Sequence, residues 1–258
     1  MRVLILGGTA EARSLAQTLV RAGVEVESSL AGRVSRPRMP VGRVRIGGFG
    51  GVDGLVAYLR EHRVDVLIDA THPFARTMSA HAAAAAEATS VRLVRLLRPG
   101  WSEHPLAPGW QWVDDYDDAV RSAQEHLPDG WSEQSGAPVF ITTGRQTLDH
   151  YRAWHGRPVL VRVVEPLETT PPGWTVIHDR GPYDVAGETD LMQRHRVHVL
   201  TTKDSGGIYT QAKLEAADRL GVRVIVVRRP PVPVAATAVG SVDEVLASLG
   251  LLAPQHPS

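Results

Sequence analysis

Four segments of this chain combine residue types that can do chemistry, and each follows a short apolar run. The first is Gly7-Gly8-Thr9-Ala10-Glu11-Ala12-Arg13. A glycine turn after a strand lets backbone N–H groups approach a phosphate, and the helix N-terminus behind it favours negative charge. The spacing departs from the dinucleotide fingerprint G-x-G-x-x-G, because Thr9 and Ala12 stand where it has glycine. By spacing alone the segment also reads as a plain tight turn between strand and helix. The second segment is Ser28-Ser29-Leu30-Ala31-Gly32-Arg33-Val34-Ser35-Arg36. Sites for NAD usually carry an acid at this point, bonded to the ribose 2′-hydroxyl. Here Ser28, Ser29, Arg33 and Arg36 stand there instead, and guanidinium groups recognise phosphate. A dinucleotide bound at this place would be NADP rather than NAD; without one the stretch is a solvated basic loop.

The third segment, Asp69-Ala70-Thr71-His72-Pro73-Phe74, ends another buried run. The carboxyl edge of a parallel sheet is where active sites form. Pro73 biases His72 away from helical geometry, so its ring has a set direction. His72 could polarise or protonate a substrate, or serve only to bond the backbone. The fourth is Thr201-Thr202-Lys203-Asp204-Ser205-Gly206-Gly207. Hydroxyls, an amine and a glycine pair make an anion-binding loop by type. It is no Walker loop, since Lys203 precedes the glycines, and it also reads as an ordinary connection. Arg98-Pro99, Thr143-Gly144-Arg145 and Arg228-Arg229-Pro230 lie near the ends of further expected strands. If those strands run parallel, the arginines gather on the same edge as Lys203 and suit a polyanionic small molecule. Surface arginines without a common target are the other reading.

The elements that must position these segments alternate. Continuous apolar runs predict strands at residues 3–6, 24–30, 44–46, 64–68 and 92–97. Helical spacing of Ala12, Leu15, Ala16, Leu19 and Val20, and the alanine-rich stretch 75–88, predict helices between them. Residues 98–109 are rich in proline and glycine and mark a boundary or rigid crossover. A second series follows, with strands expected at 111–113, 139–142, 159–164, 176–178, 197–201 and 222–227. A helix is expected to open near Ile208 or Tyr209, and a last one at 242–249. Residues 128–138 read as a polar surface loop. The expectation is an α/β protein of two Rossmann-like domains, with mostly parallel sheets facing a central cleft. Residues 1–98 would form the first domain and 99–258 the second.

Composition narrows the function. The chain has 258 residues, 43% hydrophobic and 22% charged, which suits a packed globular protein. Its 28 basic and 28 acidic residues cancel, so no global field holds nucleic acid or an anionic membrane. With no cysteine there are no disulfides, thiolate nucleophiles or cysteine-ligated metals. The eleven histidines are scattered, and His195 and His198 lack flanking acids, so no metal is expected. No signal peptide or long apolar span is seen, and a cytoplasmic location is expected. All basic residues but two are arginine, a bias that is usually genomic. The two lysines, Lys203 and Lys213, then mark places where a guanidinium does not serve in place of an amine.

Taken in order along the chain, the segments resemble the precorrin-6A reductase family of cobalamin biosynthesis, which includes the cobalt-precorrin-6A reductases. The carriers are Gly7-Gly8-Thr9-Ala10-Glu11-Ala12-Arg13, Gly47-Gly48-Phe49-Gly50-Gly51 and Asp69-Ala70-Thr71-His72-Pro73-Phe74-Ala75. They continue with Arg98-Pro99 and Trp101, Thr142-Thr143-Gly144-Arg145, Thr202-Lys203-Asp204-Ser205-Gly206-Gly207 with Lys213, and Arg228-Arg229-Pro230. Each alone is unspecific; the ordered combination is specific. The resemblance implies NADPH-dependent reduction of one double bond of the macrocycle of precorrin-6A, giving precorrin-6B. An NADP-binding sensor, or a reductase of another polyanion, is the alternative.

Within that resemblance the residues take expected roles. NADPH would lie on the first domain, against Gly7, Gly8, Thr9 and Glu11, with its 2′-phosphate near Gly32 and Arg33 and its nicotinamide by Thr71, His72 and Pro73. Arg98, Thr143, Arg145, Lys203, Ser205, Gly206, Gly207 and Lys213 would hold the carboxylates of the tetrapyrrole-derived substrate. Lys203 or His72 would supply the proton that accompanies the hydride.

Overall fold

The computed structural model of the protein describes residues 1–32, 38–132, 136–232 and 236–251. The chain divides into two compact units, Met1–Pro99 with Pro230–Ser258, and Gly100–Arg229. Each is built on a six-stranded sheet in which every pairing is parallel.

In the first unit the strands are β1 (Arg2–Leu6), β2 (Glu25–Leu30), β3 (Arg43–Ile46), β4 (Val66–Asp69) and β5 (Arg92–Leu96). Helices α1 (Ala10–Arg21), α2 (Val52–Glu61) and α3 (Arg76–Thr89) connect them. The central strands β1 and β4 are almost wholly buried, as expected of strands covered on both faces. One face packs under α1, where Val3, Ile5 and Ile68 meet Leu15 and Leu19. On the other, Leu4, Leu6 and Leu67 meet Leu55 and Leu59 of α2 and Ala82 and Ala85 of α3. Small alanines let α3 lie close to the sheet, and their high helix propensity holds it there.

The second unit repeats the scheme. Its strands are β6 (Gln111–Val113), β7 (Val139–Ile141), β8 (Val159–Val163), β9 (Trp174–His178), β10 (Val199–Lys203) and β11 (Arg223–Val227). Helices α4 (Tyr116–Gln124), α5 (Val185–His195) and α6 (Ala212–Leu220) cover them. The remaining elements are β12 (Thr237–Val239) and α7 (Val242–Ser248).

The strand orders are β12-β5-β4-β1-β2-β3 and β6-β11-β10-β7-β8-β9. The second unit supplies all six of its strands from one continuous run, whereas the first supplies five and takes its sixth, β12, from the end of the chain. The expectation that 99–258 forms the second domain is therefore corrected. Residues from Pro230 onward return to the first unit, where Thr237, Ala238 and Val239 pair with Val94, Arg95 and Leu96. The free edge of β5 drives this, together with the apolar face of α7, whose Val245 and Leu246 complete the core around Leu15 and Ala16. Strand β12 was not foreseen, because its three residues follow a proline-rich stretch.

Four local features also differ from the sequence reading. Strand β10 runs on to Lys203, so this residue stands at a strand end rather than in the loop. The turn Ile208–Thr210 is a 3-10 helix, and α6 begins only at Ala212. The segment Arg145–Trp154 is also 3-10: Thr147 donates its hydroxyl to Gly144 O at 2.8 Å and meets the Thr143 hydroxyl at 2.7 Å, competing with the α-helical ladder. Within 128–138, Trp131 is buried edge-on against Trp154, so that stretch is not wholly a surface loop.

Candidate active site

Both sheets have a point where neighbouring strands leave in opposite directions along the strand order, between β1 and β4 and between β7 and β10. Ligands of open α/β sheets bind outside the carboxyl ends of the strands at such a point.

In the first unit, Gly8 takes φ +114°, which a residue with a side chain rarely adopts. A β-carbon there would meet nothing within 4 Å, so open space lies in front of the turn. Thr9 is buried and binds in two directions: its hydroxyl donates to Ala70 O at 2.9 Å and accepts from Ala12 N–H at 3.1 Å. It thus caps α1 and ties the β1 turn to the β4 turn. The first N–H groups of a helix have no partner within it, and here they sit beside the open turn. Thr9, Glu11, Thr71 and Pro73 line a hollow that Leu96, Leu97 and Arg98 complete; it holds about 180 Å³ of empty space, open solvent at its mouth included. Arg98 donates to Glu11 at 2.8 Å, so the hollow carries a neutralised ion pair, not a free cation. Backbone donors, a hydroxyl and an apolar wall are groups that could hold part of a nicotinamide cofactor.

Beneath this rim lies a buried ion pair. Arg95 donates to Asp69 and to Ser79, and all three are nearly inaccessible. The other carboxylate oxygen of Asp69 accepts from Thr71 N–H at 3.1 Å and from its hydroxyl at 2.6 Å. Asp69 therefore positions Thr71. His72 accepts the Phe74 N–H on Nδ1 at 3.2 Å, which leaves the ring hydrogen on Nε2.

In the second unit, Thr142 joins the ends of β7 and β10, donating its N–H and its hydroxyl to Thr201 O at 2.9 and 3.1 Å. The Lys203 Nζ comes within 3.6 Å of where a β-carbon on Gly144 would stand. Lys203 and the Gly144 turn are therefore neighbours at the ends of β10 and β7. Asp204, buried, accepts the Trp101 N–H at 2.9 Å and pairs with Arg229 at 3.1 Å. Gly100 is required here, since a β-carbon would lie 2.7 Å from the Asp204 carboxylate. The Trp101 indole donates to Gly207 O at 3.3 Å. The loop 204–207 is thereby fastened at both ends.

The chain matches the family described as "Precorrin-6x reductase CbiJ/CobK" over residues 2–250. It belongs to this family. A precorrin-6A reductase of Rhodococcus erythropolis is 48% identical over 253 residues, covering 97% of this chain and 98% of that one. One from Mycobacterium tuberculosis is 44% identical over 246 residues, covering 93% and 94%. The solved structure of "CobK precorrin-6A reductase" has a TM-score of 0.85 at 38% identity, covering 97% of this chain and 96% of that one. As a CbiJ/CobK member the chain is an oxidoreductase of cobalamin biosynthesis acting on a CH–CH group.

The expected site residues of this family member distribute as follows. Gly7, Gly8, Thr9, Glu11, Thr71, His72, Pro73 and Arg98 all belong to the first unit. His72 is half-buried and does not line the hollow to which its neighbours Thr71 and Pro73 belong. Gly32 is exposed at the end of β2, and Arg33 lies outside the described residues. Thr143, Arg145, Lys203, Ser205, Gly206, Gly207 and Lys213 belong to the second unit. Arg145 is exposed and donates to Pro166 O at 3.3 Å, while Lys213 is buried inside α6. Sequence reasoning did not single out Arg45, which bonds the Ser29 hydroxyl and the Gly47 and Gly48 carbonyls while stacking 3.8 Å over Phe49. It also passed over Asp204 and Trp101 as fasteners. The only signal for these was their place inside motifs already marked for other reasons.

Proposed function

We propose that the protein reduces precorrin-6A to precorrin-6B, with NADPH as hydride donor. The observation that carries this reading is the 48% identity, over 97% of the chain, with a precorrin-6A reductase. NADPH supplies the hydride. The first unit binds it: the α1 N-terminus and the Gly7-Gly8 turn face its pyrophosphate, Thr71 and Pro73 face the nicotinamide, and the basic segment with Arg33 takes the 2′-phosphate. Asp69 acts through Thr71 and keeps the nicotinamide end of the hollow in shape.

The second unit binds the macrocycle through its carboxylates. Lys203, Arg145 and the Ser205-Gly206-Gly207 loop are the clamping groups, the loop being held by Asp204 and Trp101; Thr143, expected among them, is buried with its hydroxyl on Thr147 and supports the turn from within. Between the two expected proton donors the hydrogen bonds favour Lys203. The His72 Nδ1 already accepts a backbone N–H, which a protonated ring would forfeit; the Lys203 amine stands at a strand end beside the carboxylate turn. Most of the acceleration then comes from positioning and from exclusion of water.

The test is to mix the protein, NADPH and precorrin-6A and follow the nicotinamide and macrocycle absorbances together. Both are expected to change in a one-to-one ratio, with NADPH preferred over NADH. Oxidation of NADPH without change in the macrocycle, or no oxidation at all, overturns the reading.

A further inference from the structure

Lys213 lies outside the chemistry described so far. Its side chain is 4% exposed, on the inner face of α6. Nζ donates to Thr210 O at 2.8 Å and lies 4.9 Å from the centre of the Trp101 ring. Thr210 ends the 3-10 turn that follows Ser205-Gly206-Gly207, and the same Trp101 holds Gly207 O and Asp204. Lys213 thus underlies the far end of the carboxylate loop without being open to a ligand itself.

Its charged neighbours come from three elements. Glu188 of α5 and Arg162 of β8 form a buried pair at 2.7 Å, and Lys203 ends β10. Tyr183 stacks 4.1 Å from the Arg162 guanidinium. On α6 itself, Glu215 is occupied by Gln211, while Asp218 and Arg219 are exposed. The second oxygen of Glu188 is buried without a hydrogen-bond partner. With Lys213 neutral, the Arg162–Glu188 pair is balanced; with Lys213 protonated, the buried cluster carries a net positive charge beside Lys203. Burial first, then Arg162 and Lys203, push the Lys213 amine down to about 7 against the pull of Glu188. An anion arriving on the loop supplies the compensating charge.

We propose that Lys213 is a positioning residue that takes up a proton from solvent as a polycarboxylate docks on the 204–210 loop, so that the Thr210 carbonyl and the loop are gripped by an ammonium only when the ligand is in place. This rests on the assignment of that loop to substrate carboxylates. No bond other than N–H is made, and solvent is the proton source. Below neutral pH the amine is already charged and the ligand meets a prepared loop. Above it the proton must be gathered on binding, so KM rises with pH while kcat does not follow.

Because the chain has only two lysines, full-length protein carrying ¹³C,¹⁵N-lysine gives two side-chain signals, and Lys203→Arg identifies that of Lys213. In the free protein the Lys213 signal is expected to titrate near neutrality, unmoved by NADPH. With saturating precorrin-6A its midpoint is expected to climb above about 8. An ordinary lysine midpoint in the free protein, or one unmoved by precorrin-6A while NADPH is being oxidised, overturns the proposal. If NADPH is not oxidised, the substrate assignment fails instead, and benzenehexacarboxylate decides: the same climb supports proton uptake, and none refutes it. Lys213→Arg, permanently charged, is expected to flatten a KM that rises about three- to fivefold from pH 7 to 8 in the wild type. A retained slope in that variant also counts against the proposal.

Discussion

At the end of β1 the turn is closed by a hydroxyl and opens a regular α-helix; at the end of β7 the matching turn leads into ten residues of 3-10 helix beside an amine. The first arrangement concentrates backbone donors and hides its side-chain charges: Arg98 is spent on Glu11 and Arg95 on Asp69. The second leaves Lys203 and Arg145 on the rim and buries a further amine below. On the proposed function, one architecture would serve two kinds of anion. Backbone N–H groups at a helix N-terminus suit the fixed spacing of a pyrophosphate, whereas long flexible cations suit carboxylates dispersed around a ring.

Removing Asp69 tests the first arrangement most severely. Asp69→Ala strands the buried Arg95, and a loss of about 3–5 kcal/mol in urea unfolding is expected, with slackened NADPH binding. A loss below about 1 kcal/mol would show that the pair does not support the turn.

Next in size is a pH effect confined to the second unit. The Lys213 amine sits near 7 in the folded protein and near 10.4 when unfolded, so between these values the unfolded chain holds more protons. Stability is therefore expected to rise from pH 7 toward pH 10, and the burial cost of a few kcal/mol is fully present below pH 7. Lys213→Met should abolish that slope in denaturant titrations; an unchanged slope assigns it to another group.

Lys203→Ala sharpens the division of labour. A loss of about 1.5–3 kcal/mol in carboxylate binding corresponds to a KM for the macrocycle roughly 10- to 100-fold higher, with NADPH affinity unaltered in fluorescence titration. Unchanged kinetics would remove this residue from the site. Thr9→Val does the reverse: the lost cap and the lost tie to Ala70 should cost about 1–2 kcal/mol of stability and weaken NADPH but not the macrocycle. The smallest effect belongs to Arg228, whose exposed pair with Asp114 at 3.2 Å is expected to matter by less than about 1 kcal/mol in thermal unfolding. A larger effect would make that arginine part of the clamp.

Much of this was legible in the residues themselves. The run Val3 to Leu6 is apolar at every position, which suits a strand covered on both faces, and the spacing of Ala12, Leu15, Ala16 and Leu19 spells an amphipathic helix. Such signals are local, because they come from the repeat of strand or helix and from the chemistry of one turn. Their order along the chain also carried the family. What was missed is non-local. Thr237 to Val239 look like loop until the open edge of β5 gives their backbone groups partners. Arg98 and Glu11 stand 87 positions apart, and Trp101 and Asp204 stand 103 apart.

The sequence by itself thus determined the kind of protein this is: alternating strands and helices, glycine turns at the strand ends, and an Arg-rich chain that keeps two lysines close together. Only the tertiary structure decided which of those residues are accessible and which are buried. Lys203 and Lys213 are ten positions apart and chemically identical, yet one stands at a strand end and the other is buried under Trp101 and Thr210. Burial and the company of other charges set what an amine can do, and both arise from the packing of distant segments rather than from any residue's neighbours in the chain.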